Sequence, residues 1–591
     1  MLLQIDYSND LFSLKISNPT SDFEISSFRH LISDSCDDYF LKNDIFYLSH
    51  LSFTRISSEI ARFLRNHNST LQLSEKAKSI IADTRNKSYS EALRIPQRSP
   101  DELITTLHSK GFSRRLNNNQ LNNLTKISQF PAAATFSVPG AGKTTEALAF
   151  FFTNAEDSDH LLVVCPLNAM GAWDEQMSAC CQNKNYSFTR LRGGEVAISR
   201  ILSSNPRYMI ISYQQFTIVT NLMYSFLEKH SVFMFLDESH RIKSGISGTT
   251  TQAILKTSCL PKRKLIMSGT PCPQSLSDLI PQFYFLYPDK SVSKDTVVDT
   301  LRPVFVRTTK SQLGIPPIQQ KTIHLEMGPI QLKVYNQLRS EICRSKSRLS
   351  KKGKAYLRNL GKKIIKIMEF VANPSLLARD MEYVFNKKIG DVLSVDCGPK
   401  IEYACSRARE LAAQGEKVII WSQFVNNVLL VTERLKDIGA DCIYGDVASG
   451  DELDADTREG KIREFHINQD KKVLVLNPSA AAEAISLHEA CKYAIYVDRS
   501  FNAAHFLQSQ DRIHRLGIEE SPTIEILQCK NSIDEVIDSR LKDKILVMSK
   551  ALEDPSLNVE SIPYDSDFSY CNEDLSPDDI QEVLRFFDSG D

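Results

Sequence analysis

The stretch FSVPGAGKTTEAL, residues 136–148, decides the fold. It runs from the end of an apolar segment, through a loop with two glycines, into the start of a helix. Gly140 and Gly142, with Pro139 and Ala141 in the same loop, let backbone N–H groups curl around phosphate oxygens. Lys143 is placed to reach the β and γ phosphates of ATP. The Thr144 hydroxyl, with Thr145 beside it, is placed to hold Mg²⁺. The helix that begins here adds the positive end of its dipole. The first position of the GxxxxGKT pattern is Ser137 rather than glycine.

Such a loop joins a strand to a helix, and its surroundings have the matching texture. HLLVVCPL (160–167), YMIISY (208–213), VFMFLDES (232–239) and RKLIMSG (263–269) are short, continuously apolar runs separated by polar or helical sequence. Strands that are apolar on both faces belong in parallel sheets covered by helices. The texture returns in KVIIWSQF (417–424), KKVLVLN (471–477), YAIYVDRS (493–500) and TIEILQC (523–529). The fold expected is α/β: two parallel-sheet lobes, at 111–305 and 306–550, separated by mostly helical sequence. Residues 1–110 are expected to form an accessory α+β domain. LFSLKIS there alternates like a strand, and HLSFTRISSEIARFLRNH has a helical period.

Asp237 and Glu238 end the run VFMFLDES, at the strand end where ligands of open α/β sheets gather. Asp237 suits Mg²⁺, and Glu238 suits orienting or deprotonating the attacking water. SGTP (268–271) ends the next run with small hydroxyl residues that can link the phosphate site to its surroundings. Gln120, in RRLNNNQLNNL (114–124), is a candidate for the adenine edge, or simply one polar residue in an Asn-rich stretch.

FLQSQDRIHRLG (506–517) places Arg512 and Arg515 three residues apart, on an expected helix just past YAIYVDRS. Hydrolysis of a phosphoanhydride builds negative charge on the γ-phosphate oxygens, and arginines supplied from another domain stabilise it. The two guanidinium groups are therefore expected to serve the triphosphate held by Lys143. An ATP shared between two lobes, then hydrolysed, is the two-state element a motor needs.

Composition fits this reading and removes others. Apolar residues make up 42% and charged residues 24%, with a net charge of −1, so nucleic acid would have to meet local basic surfaces. CRSKSRLSKKGKAYLRNLGKKIIK (343–366) holds ten Lys/Arg and no acid; it is either a solvated helix face or a phosphate-contacting one. Residues 551–591 reverse the sign, with twelve Asp/Glu against one Arg, and read as an acidic extension with a short helix around 578–587. The 13 cysteines show no CxxC pairs or zinc spacing, which suits a reducing compartment. No apolar run reaches the roughly 18–20 residues of a membrane helix, and MLLQIDYSNDLF has no leader pattern. A soluble, cytoplasmic chain without a membrane partner is expected.

The motifs occur in an order that resembles the Swi/Snf-type ATPases of helicase superfamily two. That order is the Gln120 segment, PGAGKT, LVVCPLNAMGAWDEQ (162–176), MIISY, DESHRIKS (237–244), SGTPCPQSLSDL (268–279), FVRTTK (305–310), PIQLKVYNQL (329–338), NPSLL (373–377), KVIIWSQF, SLHEACKYAIYVDRSFN (486–502) and QSQDRIHRLG. The resemblance implies an ATP-driven translocase on double-stranded DNA that displaces or remodels bound protein. It implies that both lobes are RecA-like and that lobe two carries helical protrusions, at about 328–378. It also implies that Gln120 reads adenine, that Gln508 joins the nucleotide site, and that Pro166, Asn168, Ser212 and Gln423 line the DNA groove. The family's glycines are alanines in NPSAAAEAI (477–485), with Glu483 among them; Phe501 replaces a tryptophan and Ile518 a glutamine. These departures bear on how DNA binding couples to ATP turnover. Two alternatives share the motifs: a remodeller of RNA or RNA–protein complexes, and an ATP-switched scaffold in a multi-subunit DNA-repair or anti-phage complex. Protein partners would meet residues 1–110 or the acidic tail. The compact size points to a bacterial setting in genome maintenance or antiviral defence.

Overall fold

The protein is described by a computed structural model covering residues 1–8, 10–17, 22–36, 39–93, 95–182, 186–242, 248–347, 354–379, 397–448, 454–478, 487–554 and 576–588. The 479–485 part of the alanine-bearing loop, Lys243 and Ser244, residues 348–353 of the basic stretch and 555–575 of the tail lie outside this set. The chain divides into two compact units: residues 1–272 with 276–308, and residues 273–275 with 309–591.

The first unit opens with a five-stranded sheet. Its strands are β1 (Leu2–Ser8), β2 (Leu11–Ser17), β3 (Phe40–Lys42), β4 (Ile45–Ser49) and β5 (Thr70–Leu73), in the order β3-β4-β2-β1-β5. Strands β1 and β2 are antiparallel, and β5 runs parallel to β1. Alternate residues Leu3, Ile5, Tyr7, Phe12, Leu14, Phe46 and Leu48 turn inward onto the helices Asp22–Ser35 and His50–Asn66, through Phe28, Ile32, Phe53, Ile56 and Ile60. A period of two with one buried face is what an antiparallel sheet with one covered side requires.

That small domain is bonded to the rest of its unit. The Tyr7 and Tyr224 hydroxyls share a hydrogen bond of 3.3 Å, and the Cys259 thiol lies 3.6 Å from the Thr54 hydroxyl. The Tyr89 hydroxyl donates to the Thr300 carbonyl at 2.7 Å, and the Arg55 guanidinium lies 4.9 Å from the centre of the Tyr284 ring.

The second sheet of the unit comprises β6 (Ala132–Thr135), β7 (His160–Cys165), β8 (Thr189–Arg190), β9 (Tyr208–Ser212), β10 (Val232–Asp237), β11 (Arg263–Met267) and β12 (Phe305–Val306). Their order is β12-β6-β11-β10-β7-β9-β8, and every pairing is parallel. The four apolar runs read from the sequence are four of these strands.

The second unit holds β13 (Gln319–Leu325), β14 (Val418–Trp421), β15 (Ala440–Ile443), β16 (Val473–Leu476), β17 (Tyr493–Tyr496) and β18 (Thr523–Cys529). They lie in the order β13-β18-β17-β14-β16-β15, again all parallel. Ile419, Trp421, Leu474, Leu476 and Tyr496 enter one core, while Val418, Ile420, Val473, Val475 and Ile495 enter another. Both faces are buried, which is why the strands read as unbroken apolar runs. Helices Pro329–Ser347 and Lys354–Ala372 occupy the separator.

The tail contributes a helix, Pro577–Asp588. Its Asp579 is fully buried and accepts hydrogen bonds from Arg540 Nε and Lys544 Nζ, both at 2.8 Å. Lys544 also donates to the Phe501 carbonyl at 2.7 Å.

Candidate active site

Strand register brings the first group of candidates together. Thr135 of β6 pairs with Met267 of β11, and Met267 pairs with Asp237 of β10. The three strands end abreast, so the glycine loop, Ser268-Gly269-Thr270 and Glu238 leave the same edge of the sheet. Cys165 and Ser212 end β7 and β9 abreast on that edge as well, which puts Pro166 and Ser212 there. The Ser212 side chain caps the helix Tyr213–Ile218 by accepting from Gln215 N at 3.2 Å. The Asn168 side chain lies outside the described set.

The loop has the backbone its glycines permit. Gly140 and Gly142 both take φ +85°, a region that side-chain-bearing residues rarely enter. A Cβ on Gly142 would lie 2.3 Å from the Gln120 side-chain nitrogen. The helix Lys143–Asn154 starts immediately after. Pro139, Gly140, Gly142, Lys143 and Thr144 are partly exposed, while Ala141 and Thr145 are buried. Thr145 donates to Gln176 Oε1 at 3.0 Å. Gly269 closes on the loop from the next strand: a Cβ there would sit 3.0 Å from Pro139 Cδ and 3.8 Å from Lys143 Nζ. Gln120 accepts from Asn117 N at 3.0 Å and donates to the Ala141 carbonyl at 3.3 Å, so its amide lies directly against the loop. Gly142→Ala adds both the clash with Gln120 and about 1–2 kcal/mol of backbone strain. It is expected to weaken ATP binding at least about tenfold, measured by titration with a fluorescent nucleotide.

The acidic pair follows β10. The Asp237 carboxylate accepts from the Trp173 indole N–H at 2.9 Å and from the Glu238 N–H at 3.0 Å, while its carbonyl accepts from the Tyr213 hydroxyl at 2.8 Å. Glu238 has φ +49°, a strained backbone for a glutamate at the mouth of a site. Its carboxylate is half-buried and lies 3.5 Å from His240 Nδ1, which is itself 2.7 Å from the Ser268 hydroxyl. His240 thus ties the DESH segment to the SGTP segment. Trp173 and His240 lie inside the quoted segments LVVCPLNAMGAWDEQ and DESHRIKS, but neither is singled out there as a site residue.

Glu146, one helical turn past Lys143, is another residue that spacing did not reveal. It is fully buried, and its two oxygens accept from Asn123 Nδ2 and Thr135 Oγ1, each at 2.9 Å. Burial pushes its carboxyl up to about 7, against the opposing pull of those hydrogen bonds and of Lys143. An unfolded glutamate titrates near 4.5. Between these values the folded chain holds a proton that the unfolded chain has released. Stability contributed by Glu146 is therefore fully present below about 4.5 and is lost as pH rises to about 7. The loss expected is about 3 kcal/mol. Glu146→Gln should flatten this part of the profile, measured as urea midpoints across that pH range.

In the second unit the helix Ala503–Asp511 ends before the arginines. Arg512 and Arg515 lie in the turns that follow, not on a shared helix face. The turn is pinned where the Arg512 carbonyl accepts from Leu487 N at 2.9 Å, and where Gly517 takes φ +107°. Arg512 is buried and Arg515 half-exposed. Gln508 is buried on the preceding helix. Gln423 follows β14, and its N–H donates to Asp498 Oδ1 at 2.7 Å, while its carbonyl accepts from Asn477 Nδ2 at 2.7 Å. Its half-buried side chain leaves a rigid main chain.

Residues 136–297 match the model of the SNF2-related domain, and residues 400–517 match that of the helicase conserved C-terminal domain. These two domain matches, in this order, support a Swi/Snf-type ATPase of helicase superfamily two. Among proteins it is similar to are a CHD3-type chromatin-remodeling factor of Arabidopsis thaliana, 24% identical over 69% of this chain, and chromodomain-helicase-DNA-binding protein 1 of Homo sapiens, 21% identical over 76%. The chain spans only 35% and 27% of the length of these two relatives. The Sulfolobus solfataricus SWI2/SNF2 ATPase core in complex with dsDNA is 19% identical, with a TM-score of 0.33 over 80% of this chain and 97% of that one. No helix among the described residues is long and apolar enough to cross a membrane.

Proposed function

We propose that this chain hydrolyses ATP to move along double-stranded DNA and to displace or remodel protein bound there. The observation that carries the reading is the common edge at which β6, β10 and β11 deliver the glycine loop, the acidic pair and the SGT segment. Two left-handed glycines and Lys143 at a helix start support a loop whose backbone N–H groups can meet phosphate oxygens. Gly140–Thr145 would hold the phosphates, Gln120 the base, and Thr144 and Asp237 the Mg²⁺. Bound MgATP supplies the phosphoanhydride and its cation. Glu238 orients and deprotonates water, and His240 and the Trp173–Asp237 bond keep the acidic pair in place. Arg512 and Arg515 stabilise charge that develops on the γ-phosphoryl group.

DNA is the proposed track because relatives carry DNA-binding in their names and because Pro166, Asn168, Ser212 and Gln423 follow strand ends on the two sheets. Steady-state ATP turnover with duplex DNA, single-stranded DNA and RNA tests this. Stimulation greatest with duplex DNA, together with displacement of a triplex-forming strand, is the expected result. Stimulation by RNA alone would replace the track, and turnover indifferent to any nucleic acid would end the translocase reading.

A further inference from the structure

The chain passes from the first unit to the second between Thr308 and Thr309. On the upstream side Thr308 is buried, its N–H donating to Ser137 Oγ at 3.0 Å and its Oγ1 accepting from Asn123 Nδ2 at 2.9 Å. The same Asn123 amide donates to Glu146 on the phosphate-loop helix. Thr308 is therefore fixed to the machinery of the loop.

Two residues later the chain is fixed again. The buried Lys310 ammonium donates to Asp511 Oδ1 at 2.5 Å and to His514 Nδ1 at 2.9 Å. An ammonium has protons to give and no acceptor, so Nδ1 must be the bare nitrogen and Nε2 must carry the proton. That Nε2–H donates to the Pro316 carbonyl at 2.6 Å. Burial and the Lys310 charge hold His514 down to about 3, against the bond to Pro316, so the ring stays neutral. The segment from Lys310 to Pro316 is thereby tied at two points to the end of the helix Ala503–Asp511. Asp511 and His514 interleave with Arg512 and Arg515 in sequence, so the groups that grip the connector and the two guanidinium groups belong to one turn. One residue, Thr309, separates the anchor to the phosphate-loop helix from the anchor to the arginine turn.

We propose that Lys310 is a positioning residue, resting on the ATPase reading above, that fixes the arginine turn to the connector between the two units. It touches no reacting atom; it sets where Arg512 and Arg515 stand relative to the segment from Lys310 to Pro316 that follows the change of unit. Displacement of a catalytic group by about 1 Å can cost on the order of a hundredfold in rate.

The test is a double-mutant cycle on the full chain with saturating duplex DNA, comparing K310M, R512A and K310M/R512A for kcat and for ATP affinity. K310M is expected to lower kcat about tenfold or more while the ATP dissociation constant moves less than about twofold. The double variant is expected to be no slower than R512A alone, because Lys310 acts through the arginine. Methionine leaves Asp511 as a buried carboxylate without its cation, so K310M/D511N, which removes both charges, is the companion that guards against a folding defect. It should show the same fall in kcat. If K310M and K310M/D511N turn over ATP within about twofold of wild type while R512A is slow, or if the losses from K310M and R512A multiply, the positioning role is overturned and the ATPase reading stands. A wild type that does not hydrolyse ATP overturns both, whereas an R512A variant at full rate overturns the positioning role and leaves the ATPase reading standing.

Discussion

Glu238→Gln is expected to bind ATP as tightly as the wild type and to hydrolyse it about 10²–10⁴-fold more slowly, the range that one general base supplies. The substitution keeps the shape and removes only the ability to take a proton. Its surroundings argue that the fold will tolerate it. The strain at φ +49° belongs to the backbone and is set by the end of β10, not by the carboxylate. Asp237 keeps its bonds to the Trp173 indole and to the N–H of residue 238, so the carboxylate proposed to bind Mg²⁺ stays put. Equilibrium nucleotide binding and single-turnover phosphate release separate the two effects. Turnover within about threefold of wild type would place the base elsewhere on this edge.

The features legible in the sequence were those with a short-range signature. Each apolar run such as VLVL or YAIY became a strand because a strand buried on both faces has no polar alternative. The glycine loop was legible because left-handed φ at Gly140 and Gly142 leaves few residue types to choose from. Contacts between distant residues were not. Trp173 reaches Asp237 across 64 positions, and Lys310 reaches Asp511 across 201. A charged side chain of this kind looks like surface until its partner is known. The arginine turn differed from expectation for a local reason. Helical spacing at Arg512 and Arg515 satisfies i, i+3, but the chain leaves the helix at Asp511, where the Lys310 bond and the bond from Leu487 N to the Arg512 carbonyl hold turns instead. The acidic tail shows the same limit. Its composition reads as solvated, yet Asp579 is buried against two cations whose positions along the helix Ile533–Leu552 gave no hint of a partner.

Arg512→Ala and Arg515→Ala are expected to give the other large effect, each lowering kcat by on the order of 10³ with ATP affinity nearly unchanged. An interaction that strengthens only as charge moves onto the γ-phosphoryl oxygens contributes to the transition state and little to the ground state, so the loss appears in kcat and not in binding. The two positions are unequal in their surroundings. Arg512 is buried, with its carbonyl fixed by Leu487 N, whereas Arg515 is half-exposed beside His488, whose pKa it helps to hold down after burial. Arg512→Lys should therefore rescue poorly, since an ammonium has neither the planar fork nor the reach of the guanidinium it replaces. Arg515→Lys has more freedom to adjust and should recover part of the rate. Rapid-quench measurement of the first turnover, at saturating ATP with duplex DNA, isolates the chemical step from product release. If both alanine variants hydrolyse ATP in that first turnover within about threefold of wild type, the guanidinium groups serve some other end and the reaction is completed by the first unit alone.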